Sequence, residues 1–340
     1  MRIFILILLS AVAFFGCQKD GETPEITPRF PVPTEVPEGF PAVAYPEGNA
    51  HTEARWALGK KLFFDPVLSA DGSISCASCH APHLAFSDDT AVSLGVENRP
   101  GRRNSPTLAN VAYHPYFTRE GGVPTLEMQV LVPLQEHDEF DFNIVAAAER
   151  LQQLPEYVTM SQTAYEREPD AFVITRALAC FERSLLSGDS PYDRYFFQGK
   201  ADALTAAQKR GMTLFFSEKT GCADCHGGFN FTDYSFKNNG LYSEYADAGK
   251  FRLTGEENDK GVFKVPTLRN IALTAPYMHD GSLLTLDEVI EHYNSGGKVH
   301  PNRAVQIRPL ALTTDEKKNL VAFLHALTDE TFVNNPFFSE

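Results

Sequence analysis

Two pentapeptides constrain this chain more than anything else in it: Cys76-Ala77-Ser78-Cys79-His80 and Cys222-Ala223-Asp224-Cys225-His226. Each reads C-x-x-C-H, the attachment pattern of a c-type haem. Two thiols three residues apart can both add to the vinyl groups of one haem, and the adjoining histidine then ligates the iron from one side. One such pentapeptide would also suit a redox dithiol or half of a zinc site. Two of them, with no other paired cysteines, point to covalent attachment of two haems. A disulfide framework would not place a histidine after each pair. Of the remaining cysteines, Cys180 lies in the helical apolar stripe 177–181 and reads as an inert buried thiol.

The other, Cys17, belongs to an address. Met1-Arg2 is a short positive start. The apolar run Ile3–Phe15, broken only by Ser10, is too short to span a bilayer as a helix. It ends at Gly16-Cys17, a site that resembles a bacterial lipobox, although Phe14 stands where Leu is usual. The expectation is a lipoprotein-type signal over 1–16 and lipidation of Cys17. A Pro-rich extended tether over 17–45 would follow. The implied location is the periplasmic side of a bacterial membrane, anchored by lipid, with the outer membrane favoured. The chain has 340 residues, enough for about two domains. Its formal net charge of −14 speaks against nucleic-acid binding, which needs a basic face, and suits a basic protein partner.

His80 and His226 are 146 residues apart, so each haem has room for its own domain. The patterning between and beyond them is helical. Thr52 caps a helix running to Phe64, before Asp65-Pro66. Thr125 opens a helix through Leu126 and Val130 that Pro133 should end. Asn143–Leu154 and Asp170–Ser187 are amphipathic, the latter with Ile174, Leu178, Phe181 and Leu185 on one face. Thr205 with Gln208, Thr285 with Glu288 and Thr313 with Glu316 have capping-box spacing. Gly296 would stop the second of these helices. Strand signals are sparse. The expected fold is all-α: two cytochrome c-like domains, 46–199 and 200–340, each with one covalent haem, the haems facing a shared interface.

Five stretches carry a more specific signal: LGKKLFFDPVLSADGSISCASCH (58–80), RNSPTLAN (103–110), SGDSPYDRY (187–195), CHGGFNFTD (225–233) and KVPTLRNIALTAPYMHDGSLLTLDEVIEHYNSGG (264–297). In order and over about residues 50–330, they resemble the bacterial dihaem cytochrome c peroxidase and MauG family. The resemblance implies that hydrogen peroxide reacts at the first haem and that the second relays electrons. His80 and His226 become the proximal iron ligands. Gln129 and Glu139, ten residues apart with Pro133 between them, match the polar group that orients peroxide and the acid–base residue over the open face. Glu139 would otherwise read as a solvated charge in Glu136-His137-Asp138-Glu139. The second axial ligand of the second haem falls on Tyr293, where typical peroxidases have Met and MauG-like proteins have Tyr. Met278 is the competing candidate. A calcium ion between the haems is implied, held by Asn104 and the backbone carbonyls of Thr274 and Pro276.

Two positions depart from the peroxidase pattern. The distal histidine that closes the first iron in typical members matches Val96, and residues 93–102 hold no histidine. That agrees with MauG-like members, whose first haem stays open. The tryptophan often found ten residues before the distal Gln is here Arg119, and the chain's one tryptophan is Trp56. The leading reading is a peroxidase that reduces hydrogen peroxide with electrons from a small donor protein such as a cytochrome c. The alternative is a MauG-like oxidase that uses peroxide to modify side chains of a protein substrate. A purely electron-transferring dihaem protein fits worse, given Glu139 and the missing distal histidine.

Overall fold

The computed structural model describes residues 35–340, so the leader over 1–16, Cys17 and most of the tether lie outside the described residues. The described residues belong to one compact unit. It is mostly helical, and among the described residues no helix is long and apolar enough to cross a membrane. The α-helices run in the order α1 (Glu53–Phe64), α2 (Leu126–Gln129), α3 (Leu131–Gln135), α4 (Ile144–Gln152), α5 (Pro155–Tyr165), α6 (Ala171–Arg183), α7 (Pro191–Phe196), α8 (Ala206–Phe215), α9 (Phe251–Thr254), α10 (Leu286–Ser295), α11 (Thr314–His325) and α12 (Glu330–Val333). One antiparallel pair, β1 (Phe236–Lys237) with β2 (Phe263–Lys264), is the regular sheet among them.

Helix starts follow the capping residues. Thr52, Asn143 and Asp170 each accept a backbone N–H of the first turn of α1, α4 and α6. All three expected capping boxes close, at Thr205/Gln208, Thr285/Glu288 and Thr313/Glu316. Gly296 ends α10 in the left-handed conformation. Two boundaries differ from expectation. Pro133 does not stop a helix: the chain breaks at Val130, and Pro133 sits in the first turn of α3, where its missing N–H costs nothing. The helix begun by Asp170 ends at Arg183, because Ser184 caps it.

Two large apolar cores and a smaller cluster around Val111, Phe117 and Leu126 form among the described residues. In the first, α1 crosses α6, with Leu58, Leu62, Phe63, Ile174 and Phe181 fully buried. The crossing is so close that a Cβ added at Gly59 would lie 1.9 Å from the carbonyl oxygen of Ala177. In the second, α8 crosses α11 in the same manner, and a Cβ at Gly211 would lie 1.9 Å from the carbonyl oxygen of Asn319. The last residues return to the first core: Phe332 and Phe338 pack on Phe86 at ring distances of 5.7 and 6.2 Å. The visible end of the tether is packed too. Phe40 lies 4.7 Å from Phe229, beneath the Arg269 guanidinium.

A polar seam joins the two cores. Asn110 and Asn270 each follow Pro-Thr-Leu-x and adopt left-handed φ, +60° and +58°. Asn110 exchanges hydrogen bonds with the Ser187 backbone. Asn270 donates to Ser187 Oγ and accepts from the Asp329 N–H. The Asp329 carboxylate gathers Ser187 Oγ and the N–H groups of Gly188 and Asp189 at 2.8–3.1 Å. Beside it Arg269 and Asp193, both buried, form a bidentate pair at 2.8 and 2.9 Å.

Candidate functional site

Each C-x-x-C-H begins a one-turn 3-10 helix, Cys76–Ser78 and Cys222–Asp224. In a 3-10 turn the side chains at i and i+3 eclipse, so both thiols of a pair project to one side. None of the four is in a disulfide. The His80 N–H donates to the Cys76 carbonyl at 3.0 Å, and the His226 N–H to the Cys222 carbonyl at 2.9 Å. His80 Nδ1 then meets the carbonyl of Phe86 at 2.9 Å, and His226 Nδ1 that of Phe231 at 3.1 Å. A carbonyl only accepts, so Nδ1 carries the proton and Nε2 keeps its lone pair for a metal. Burial lowers the pKa of both imidazoles and holds them neutral. Phe86 and Phe231 share a left-handed φ, +60° and +50°, which is costly for a bulky residue and is held here by complete burial of both rings.

Over the first motif, Glu139 follows the tight turn that closes with its N–H on the Glu136 carbonyl. Its carboxyl, partly open to solvent, is pushed up to about 7 by burial, with Glu136 and Asp138 adding to the effect. Its charge raises the pKa of both Cys76 and Cys79, which places it at this motif. Gln129 ends α2 with its Oε1 buried and without a partner. Val96 is buried, and its N–H donates to the Glu139 carbonyl at 2.9 Å, so the loop without a histidine is folded onto the Glu139 segment. The other histidines nearby in sequence are engaged elsewhere or exposed. His137 pairs with Asp141 at 3.2 Å, His83 is exposed, and the His114 ring packs on Tyr234 at 5.2 Å. A further carboxyl at this motif was missed in the sequence: Glu182, on the buried face of α6, is pushed up to about 8 by burial and raises the Cys76 thiol in turn. Its mark in the sequence is an acid inside an apolar stripe.

At the second motif, Tyr293 stands on α10. Its phenol is pushed up to about 12 by burial; a hydrogen bond from Asn239 opposes this, while Cys222, Cys225 and Tyr245 add to it. Tyr293 thus faces the second cysteine pair. Met278 has a positive φ of +79°, and its Sδ accepts from Asn239 Nδ2 at 3.2 Å. Both ligand candidates therefore converge on Asn239, whose carbonyl also meets His292 Nε2 at 3.0 Å. Asn239 lies in an Asn-Asn-Gly loop that carries no motif.

The donor set fits haem: paired free thiols on one side of a turn and an imidazole with Nε2 available. Among the described residues no group of three or more His, Cys, Asp or Glu could hold a metal unaided, and ligation through a macrocycle needs no such group. The calcium set fits less well. The Arg119 guanidinium donates to the carbonyl of Asn104 at 2.5 Å and approaches its Oδ1 at 3.3 Å, so a fixed cation already stands at the oxygen expected to hold the ion.

Comparison with known proteins agrees with this geometry. The family description "Di-haem cytochrome c peroxidase" matches residues 53–202. The methylamine utilization protein MauG of Methylorubrum extorquens is 38% identical over 305 residues, covering 89% of this chain and 84% of that one. The cytochrome c551 peroxidase of Pseudomonas aeruginosa is 32% identical over 310 residues, covering 88% and 83%. A solved MauG-like protein associated with microbial copper homeostasis superposes with a TM-score of 0.86 at 35% identity, over 90% of this chain and 98% of that one. Two free C-x-x-C-H turns, each with its histidine locked for ligation, and relatives of this closeness along nearly the whole chain make it a member of the di-haem cytochrome c peroxidase and MauG family.

Proposed function

We propose that the chain is a periplasmic peroxidase that reduces hydrogen peroxide at a haem on Cys76, Cys79 and His80, with electrons relayed through a haem on Cys222, Cys225 and His226. Each motif would sit in its own cytochrome c-like domain, one on either side of residue 199. The observation that carries the reading is Glu139, a carboxyl with a pKa near neutrality placed at the first cysteine pair. A haem held by Cys76, Cys79 and His80 would supply the binding point for peroxide and electrons for cleavage of its O–O bond. Glu139 takes the proton from one peroxide oxygen and returns it to the other, so that the leaving oxygen departs as water. Gln129 Oε1 accepts from the remaining O–H and fixes the orientation of the substrate. Two electrons and two protons complete the conversion of one peroxide to two waters. Tyr293, facing the second cysteine pair, would be the second protein ligand of the relay haem, and its phenol, once deprotonated by the iron, would lower that haem's potential.

A second reading is supported by Val96 and Tyr293 together: a MauG-like oxidation of a partner protein's side chains, the first site being open at rest. Arg119, in place of an aromatic between the halves, counts against shared oxidising equivalents. The anchor belongs to the proposal as well, with Cys17 lipidated and the body held at the outer membrane; Cys17→Ser should move the protein to the soluble fraction. The deciding measurement is stopped-flow mixing of the fully oxidised holoprotein with peroxide, followed by steady-state turnover with a reduced cytochrome c. Reaction without prior reduction and sustained turnover are expected. Two low-spin irons and no reaction until an electron is supplied would refute the open first site. Peroxide reaction without cytochrome turnover would favour the partner-oxidase reading.

A further inference from the structure

We propose that Arg119 supplies, as a side chain, the positive charge that the family resemblance would assign to a calcium ion between the two halves, so that this chain holds no calcium there. Asn104 is tied at every polar group. Its N–H donates to the His279 carbonyl at 2.9 Å and its Nδ2 to the Thr90 carbonyl at 3.1 Å. Its own carbonyl and Oδ1 both face the Arg119 guanidinium, at 2.5 and 3.3 Å. The Arg119 carbonyl in turn accepts from the Lys264 N–H at 2.7 Å, so one residue joins the segments around 104 and 119 to that around 264.

The local charge supports the same assignment. Arg119 makes no ion pair among the described residues, and its Nε is buried without a partner. Lys264 lies close enough for the two cations to disfavour each other, with its Nζ on the Tyr116 carbonyl at 2.9 Å. The other cation, Arg103, is already matched by Glu120 and Asp247. Calcium takes six to eight oxygen ligands and carries two charges. Entering here, it would displace the guanidinium from Asn104 Oδ1 and join two half-buried cations. Among the described residues the carbonyls of Thr274 and Pro276 accept no hydrogen bond, while both oxygens of Asn104 are met by the Arg119 guanidinium. An uncharged tryptophan at position 119 would leave those oxygens to an ion.

This inference does not depend on which reaction the haems perform, and its readout is metal content and stability rather than turnover. The purified holoprotein is dialysed against EGTA and then against buffer with calcium. Bound metal is measured by mass spectrometry and the melting temperature is followed at each stage. No stoichiometric calcium and no shift of melting temperature with EGTA are expected. Arg119→Trp should create a site, with one calcium per chain and a melting temperature that falls with EGTA. Asn104→Asp covers the case in which that variant does not fold. Facing Arg119 it would form an ion pair and remain insensitive to EGTA, whereas in a calcium site it would tighten the metal and sharpen the chelator response. One calcium per native chain whose removal by EGTA lowers the melting temperature would overturn the proposal. So would an Arg119→Trp protein that is calcium-free and as stable as the native one.

Discussion

In the proposed reaction Glu139 would have opposed tasks within one turnover, accepting a proton and then releasing it, and a carboxyl near neutrality suits both. Below about pH 7 it is increasingly protonated and cannot accept. The rate constant for peroxide reduction should therefore fall as pH drops through that value, and Glu139→Gln should remove this limb while slowing the reaction roughly 10²–10⁴-fold. Stopped-flow pH profiles of the two proteins test it. Tyr293→Phe should remove the sixth ligand of the second haem and leave that haem attached, since Cys222, Cys225 and His226 are untouched. Electron paramagnetic resonance of the oxidised protein would show a new high-spin iron. An unaltered signal that instead changes with Met278→Leu would transfer the assignment to Met278. Haem attachment could be read directly from the sequence because it depends on neighbours three and four residues apart. Glu182, Asn239 and the role of Arg119 could not, because each acquires its meaning from a residue far along the chain.

At the level of elements, the helix starts were the most legible part of the fold. A cap acts on N–H groups two or three residues away, so Thr205, Thr285 and Thr313 could be identified without any knowledge of packing. Pro133 misled because a proline stops a helix only beyond its first turn, and the break at Val130 that resets the count has no local signature. A missed signal was available: Pro106-Thr107-Leu108-Ala109-Asn110 recurs as Pro266-Thr267-Leu268-Arg269-Asn270. Both copies turn at an asparagine in the left-handed region. Thr107 and Thr267 make the same bond to the N–H two residues on, at 3.0 and 3.1 Å. The two helix crossings repeat in the same way. Gly59→Ala and Gly211→Ala should each force a crossing apart, because the opposing atom is backbone and cannot swing aside. A loss of about 1–3 kcal/mol or more is expected from urea unfolding. If Gly59→Ala is as stable as the native protein, the close crossing of α1 and α6 is wrong.

For the whole molecule, two motifs spaced 146 residues apart suggested two halves, and two cores with one polar seam are present. What the sequence did not show is that the halves are interlocked. Asp329, between α11 and α12, caps the Ser187–Asp189 turn, and Arg269 reaches Asp193 across the chain. Asp193→Ala would leave a buried guanidinium unpaired and should cost about 3–5 kcal/mol, measurable as a lowered midpoint of denaturation. Breaking this pair should loosen both halves together, seen as coincident loss of both haem signals.

The return of Phe332 and Phe338 to the first core has one more consequence. They clamp the ring of Phe86, and the carbonyl of Phe86 orients His80. Residues 332–338 therefore complete the setting of His80. During synthesis the first core stays unfinished until residues 332–338 have emerged. A chain cut short by a dozen residues would keep every catalytic and attachment residue yet leave His80 loosely held. The presence of the segment 332–338 is in effect read out at the His80 ring.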